Sequence, residues 1–201
     1  MIITTLAVAS VALCVARLLL FAALHAVPSP YNAVEHAVSD YAVGPTRRLS
    51  AAMTTVTAAS WLTLAGAAYG RLDGWPERTQ IVVLLVILAA IFVALPFAPT
   101  DVEGQPVTPI GRLHYVLAIA WFAISYSLTG DLSQWMNDAV GGPLAATGRV
   151  LHWVALGSLI ALIVALIAPK LRRRYFGTAE RVFLVAISTF FLIAAIALAV
   201  A

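Results

Sequence analysis

Six stretches of this chain, residues 3–27, 49–70, 80–96, 109–128, 146–168 and 179–200, run nearly free of charge for the length of a membrane crossing. Crossing about 30 Å of hydrocarbon at about 1.5 Å per residue takes roughly 20 mainly apolar residues. A helix satisfies every backbone polar group within one such segment. The runs are continuous, rich in Ala and Leu, and about twice as long as a membrane-barrel strand requires. They predict an all-α polytopic membrane protein, a bundle of six transmembrane helices. Short connections between them predict a single domain over residues 1–201. Composition agrees: 62% of residues are hydrophobic, 10% are charged and the mean hydropathy is +0.97, far too apolar for a water-facing surface.

The first run lacks a preceding basic stretch and carries Arg17 within it, so it reads as a retained helix rather than a secretion signal. Cys14 is the single cysteine, which leaves no internal disulfide and no thiolate cluster. A net charge of +3 and a pI near 9.4 do not point to nucleic acid, because the basic residues border the apolar runs, where they set topology and touch anionic lipid. Membrane lipids are the expected partners. One face, formed by the first, third and fifth connections, carries Arg47, Arg48, Arg112, Lys170, Arg172, Arg173, Arg174 and Arg181; the other carries Arg71, Arg78 and Arg149. The positive-inside rule makes the first face cytoplasmic and both termini external.

Polar residues gather on that same face. The segment YNAVEHAVSDYAVG, residues 31–44, repeats apolar and polar pairs with a period near four, which predicts a short amphipathic interfacial helix over 33–42. His36 and Asp40 share one side of it, as do Glu35 and Ser39. Asn32 and Glu35 have capping-box spacing, and Gly44-Pro45 supplies a stop. In FAPTDVEGQPVTPIGRLH, residues 97–114, Thr108 reads as the N-cap of the fourth helix and Pro109 as its first residue. His114 then lies about a turn and a half inside, where an imidazole needs a partner. Asp101 is the expected one, with Glu103 on the same loop. His25 ends the first helix on this face, whereas His152 lies in the fifth helix near the opposite face.

Arg17 is the most costly residue, since a centred arginine costs about 2.5–3.5 kcal/mol on insertion scales. It must either reach along the bundle towards Asp40 or Asp101, or bind an anionic headgroup or substrate. Thr54, Thr55, Thr57, Ser60 and Thr63 on the second helix are candidates for hydrogen bonds within the bundle.

Several functions fit these residue types. The leading one is a membrane-embedded hydrolase or transferase acting on a lipid or other apolar substrate. His36, Ser39, Asp40, Asp101 and His114 are its candidate catalytic residues, and Arg17, Glu35 and Arg112 are candidates for substrate binding. His25, His36 and His114 could present neutral imidazoles to a Zn²⁺ ion, which would lower the pKa of a bound water to about 7. The alternatives are transport or lipid binding without chemistry, a b-type haem between His25 and His114, and an accessory subunit in which each polar residue is a cap or a buried hydrogen bond.

Two motifs together resemble an uncharacterised family of prokaryotic six-helix membrane proteins, catalogued as domain of unknown function 998. The first is His36-Ala-Val-Ser39-Asp40; the second joins Pro99-Thr100-Asp101 to Thr108, Gly111 and His114. Tyr41-Ala42 stands where that family tends to have Leu-Gly, and Ala98 where it has Phe. The resemblance implies the six-helix fold and a prokaryotic cell membrane, and it names no reaction. The family's motif loops often read as external, the reverse of the charge count here. The His, Asp and Ser types are also similar to those of alkaline-ceramidase-like membrane hydrolases, whose closing His-x-x-x-His is absent.

Overall fold

The computed structural model describes residues 1–101 and 105–201, and all of their side chains except those of Pro169 and Arg173. Glu103 lies outside the described residues. The described residues contain six α-helices: α1 Ile2–Ala26, α2 Arg47–Arg71, α3 Arg78–Ala94, α4 Pro109–Ala139, α5 Gly142–Ile167 and α6 Pro169–Val200. They fall on the six expected runs, but α4 continues eleven residues beyond 128 and α6 begins ten residues before 179. Hydropathy marks where a helix can meet lipid, whereas helix propensity decides where it ends. The basic run at the start of α6 is unfavourable in hydrocarbon yet made of good helix formers.

All of the helices except α2 are long and apolar enough to cross a membrane, five in number, and the described residues contain no strand. The protein therefore has an all-α polytopic membrane fold. α2 has the length, at 25 residues, but its Thr and Ser side chains lower its hydropathy. Those hydroxyls mostly bond back to their own helix: Thr54 to Ser50 O, Thr55 to Ala51 O, Thr57 to Met53 O, and Thr63 to Ala59 O.

α6 is the central element, packed against α1, α2, α4 and α5. Phe183, Phe190 and Phe191 on it are fully buried, and Trp61 of α2 meets Phe191 edge-on at 4.4 Å between ring centres. α1 and α2 approach closely because α2 carries Gly66-x-x-x-Gly70, whose open faces receive the side chains of Leu6 and Ile3. Small residues at such a seam replace the hydrophobic driving force that helices lack in lipid.

The connection between α1 and α2 is helical over a shorter stretch than its period-four pattern suggests. It turns at residues 33–35, extends at Ala37 (ψ 153°), and forms a 3-10 helix at Val38–Ala42. The capping box is not made. Asn32 Oδ1 instead accepts from Val34 N–H, and Asn32 N–H donates to His36 Nδ1 (3.2 Å) while Glu35 is exposed. A carboxylate on α6 takes the Val38 N–H at 2.7 Å, a long-range bond that local periodicity does not encode.

This connection lies directly on α6 at Gly177. Gly177 N–H donates to Val34 O (3.0 Å), and a Cβ added there would stand 2.6 Å from Ala33 O and 2.7 Å from His36 O. Gly177→Ala is expected to destabilise the protein by about 1–3 kcal/mol through overpacking against backbone. Its thermal midpoint in detergent should fall by several degrees; an unchanged midpoint would contradict this packing.

Candidate functional site

Beneath the α1–α2 connection, and bounded by α1, α2, α3, α4 and α6, is a cavity of about 450 Å³. Its walls include Phe21, Phe92, Leu95, Trp121, Phe122 and Leu184, and its exposed rim includes Gly44, Arg47, Pro96 and Pro99. Ser39, from the first expected motif, and Thr100 and His114, from the second, line this one space. The two connecting segments thus meet at this cavity.

Arg17 lines the cavity from α1, nine residues in from Ala26, or roughly 13 Å of helical rise. The residue is only 6% exposed. Its Nε donates to Thr57 Oγ1 at 3.1 Å, and its two terminal nitrogens have no hydrogen-bond partner among the described residues. Neither Asp40 nor Asp101 reaches it: the described ion pair in this chain is Arg78 with Asp73, far along the sequence and at the opposite face.

A carboxylate also lines the cavity, and sequence reasoning passed over it. Glu180 on α6 is 7% exposed, and its Oε2 accepts the Val38 N–H bond. A signal was present, because Glu180 is the one Asp or Glu inside any of the six expected apolar runs. Its neighbour Arg181 is engaged elsewhere. Arg181 Nε donates to His25 Nε2 (2.8 Å), and Nη1 donates to His36 O (2.8 Å) and Gly177 O (2.9 Å).

His114 Nδ1 lies 2.8 Å from Ala98 O. A carbonyl only accepts, so Nδ1 carries the proton and the neutral ring keeps Nε2 as an acceptor. Asp101, the expected partner, does not bond His114. Its Oδ2 accepts Thr108 N–H (2.6 Å) and its Oδ1 accepts the Thr108 hydroxyl (3.0 Å). Thr108 Oγ1 in turn accepts from Gly111 N–H at 3.0 Å, the expected N-cap. The carboxylate sits so closely over Gly111 that any Cβ there would collide with it. Asp, Thr and Gly of the second motif therefore form one clamp at the start of α4.

Other sequence candidates stand apart from the cavity. His36 is half-buried, with its Nδ1 and carbonyl occupied as described, and its ring 5.6 Å from that of Tyr31. Asp40 is 2% exposed within the 3-10 helix and does not line the cavity, although Val38 and Ser39 do. Burial, and secondarily the Asp40 carboxylate, pushes the Tyr31 phenol above its ordinary range. Glu35 and Arg112 are exposed and do not line the cavity. His25 spends Nδ1 on Phe21 O (2.8 Å) and Nε2 on Arg181, leaving no ring nitrogen for iron or zinc. Among the described residues no three His, Cys, Asp or Glu side chains converge to hold a metal ion, so His25, His36 and His114 do not make a Zn²⁺ site. His152 bonds Thr129 Oγ1 at 2.7 Å and stacks on Tyr126, joining α5 to α4.

Asp101→Ala removes two acceptors from the α4 clamp. A loss of about 1.5–3 kcal/mol is expected, as for a hydrogen bond to a charged group. Thermal unfolding in detergent checks it; a midpoint equal to wild type would show that the clamp does not anchor α4.

No curated protein and no solved structure matches this chain. A family described as Protein of unknown function (DUF998) matches residues 5–197, from the first turn of α1 to the last of α6. Nearly the whole chain is covered, including the Asp101, Thr108 and Gly111 clamp and both segments that meet at the cavity: this integral membrane protein belongs to the DUF998 family.

Proposed function

We propose that this protein binds a membrane amphiphile in the cavity, with the anionic head against Arg17 and the apolar part against the aromatic walls. One observation carries the reading. Arg17 is buried in an apolar bundle with two donor nitrogens unused by the described residues, and they belong to a group that lines an open space. Charged groups inside membrane segments are costly and are kept where they serve an ion or substrate. The N-terminus of α2 adds to this preference. Thr46, its N-cap, donates its hydroxyl to Tyr41 O, so the helix end at the rim keeps its positive character beside Arg47. The arginine count supports a rim on the cytoplasmic side with both termini outside, and the resemblance to a prokaryotic family supports a prokaryotic cell membrane.

The test is retention of phosphatidylglycerol by purified protein, read by native mass spectrometry. Arg17→Gln should weaken retention about tenfold or more, the worth of a charge-assisted hydrogen bond. Arg17→Lys, which keeps the charge but loses the planar fork, should fall between. Undiminished retention by a folded Arg17→Gln protein would defeat the reading.

A second reading, hydrolysis or group transfer on the bound lipid, is favoured by His114. Its Nδ1 bond to Ala98 fixes the proton on one nitrogen and leaves the other as a base in a ring that lines the same cavity as Ser39. His114→Gln is expected to retain lipid and to lose product formation by at least about a hundredfold, the scale of general-base catalysis. Failure of the wild-type protein to turn over the lipid it retains would leave binding alone.

A further inference from the structure

Two buried side chains of opposite charge type, a guanidinium and a carboxyl group, line this cavity without pairing with each other. Arg17 and Glu180 are 6% and 7% exposed, both border the same space, and they do not form an ion pair within 4 Å. Burying separated charges costs several kcal/mol per ion unless each meets a compensating group. Contraction of the site to join them is opposed by fixed bonds on both sides. Arg17 Nε is held by Thr57 on α2, and Glu180 Oε2 by the Val38 N–H of the connection. Glu180 Oε1 accepts no hydrogen bond among the described residues. Arg181, next along α6, acts on Glu180 through its charge but gives its Nε and Nη1 hydrogen bonds to His25, His36 and Gly177.

Resting on the reading of Arg17 as an anion subsite, we infer that the ligand is a zwitterion: an acidic group on Arg17 and a primary ammonium on Glu180 Oε1. Val38 N–H already occupies its other oxygen, which leaves Oε1 to the ligand. An ammonium supplies both charge and donors to the remaining one. A quaternary ammonium supplies charge without donors, and a neutral glycerol head supplies donors without charge. The apolar walls commit the acyl part to the same space, so phosphatidylethanolamine is the lipid with this chemistry.

The experiment compares lipids on the intact protein in detergent, by native mass spectrometry in direct competition. Wild type should retain phosphatidylethanolamine over both phosphatidylglycerol and phosphatidylcholine by about tenfold, equivalent to about 1.4 kcal/mol. Glu180→Gln should bring phosphatidylethanolamine down to the level of phosphatidylglycerol and leave phosphatidylglycerol unchanged. Arg17→Gln should weaken both, and that result bears on the anion subsite alone. Equal retention of the three lipids by wild type overturns the zwitterion assignment, whatever the variants do. An unaltered preference in a folded Glu180→Gln protein overturns it too. O-phosphoethanolamine, the same head without acyl chains, should compete only at about a hundredfold higher concentration; competition at equal concentration would assign the site to a free zwitterion of the same chemistry, and no competition at saturation would overturn the pairing.

Discussion

A guanidinium buried near the middle of α1 sets terms for the helices around it. Arg17 cannot sit against lipid at that depth without a large desolvation cost, so it faces inward, and α2 answers with Thr57. This explains why α2 is the helix whose apolarity falls short of the others. It carries the polar seam for its neighbours: Ser10 of α1 also donates to its backbone, at Ser60 O. Gly66 and Gly70 let α1 come close enough for these bonds to form, so packing and polarity on α2 serve one contact. The same inward turn leaves the end of Arg17 on the wall of a space rather than in the packed core.

α6 holds that space open from the other side. Its adjacent Glu180 and Arg181 serve different neighbours. Glu180 takes the backbone of Val38 at the cavity wall, while Arg181 gathers His25, His36 O and its own turn at Gly177 O. Together they fasten the α1–α2 connection to the central helix at several points. Tyr31 and Tyr41 bond across that connection, to Val43 O and Tyr31 O, and make its fold self-consistent. A segment anchored this firmly is a wall of the site, and the side chains it turns inward are determined by these bonds rather than by its own helical period.

That is why the helices were legible in the sequence and the site only in part. Apolar runs of membrane length report directly on helices, because in hydrocarbon the backbone has few alternatives. Thr108-Pro109 marked the start of α4 through local chemistry, and the structure keeps it. His114, Ser39 and Arg17, which line the cavity, stand out in the sequence because ionisable or polar groups at helix ends and in apolar runs are uncommon. Local pattern misled where a distant group intervened. His36 and Asp40 share a face only in a regular helix, and Glu180 breaks that helix from 142 residues away. Glu180 itself was hidden beside a run of arginines, where a carboxylate looks like ordinary helix-end charge.

The second motif shows how a residue set can be read as chemistry when it is geometry. Asp101 and His114 are of types that pair in active sites, yet each bonds another partner, and the reason lies in Gly111. A carboxylate can rest on the first turn of α4 only where no Cβ is present, so the glycine admits Asp101 to Thr108 and thereby fixes the loop that follows α3. Fixing that loop sets the position of Ala98 O, and Ala98 O sets the ring of His114. Asp101 thus acts on His114 through the backbone, by orientation, without a hydrogen bond between them. A change at Asp101 or Gly111 would reach the cavity through that ring and through Thr100, whereas Arg17 and Glu180 meet it directly.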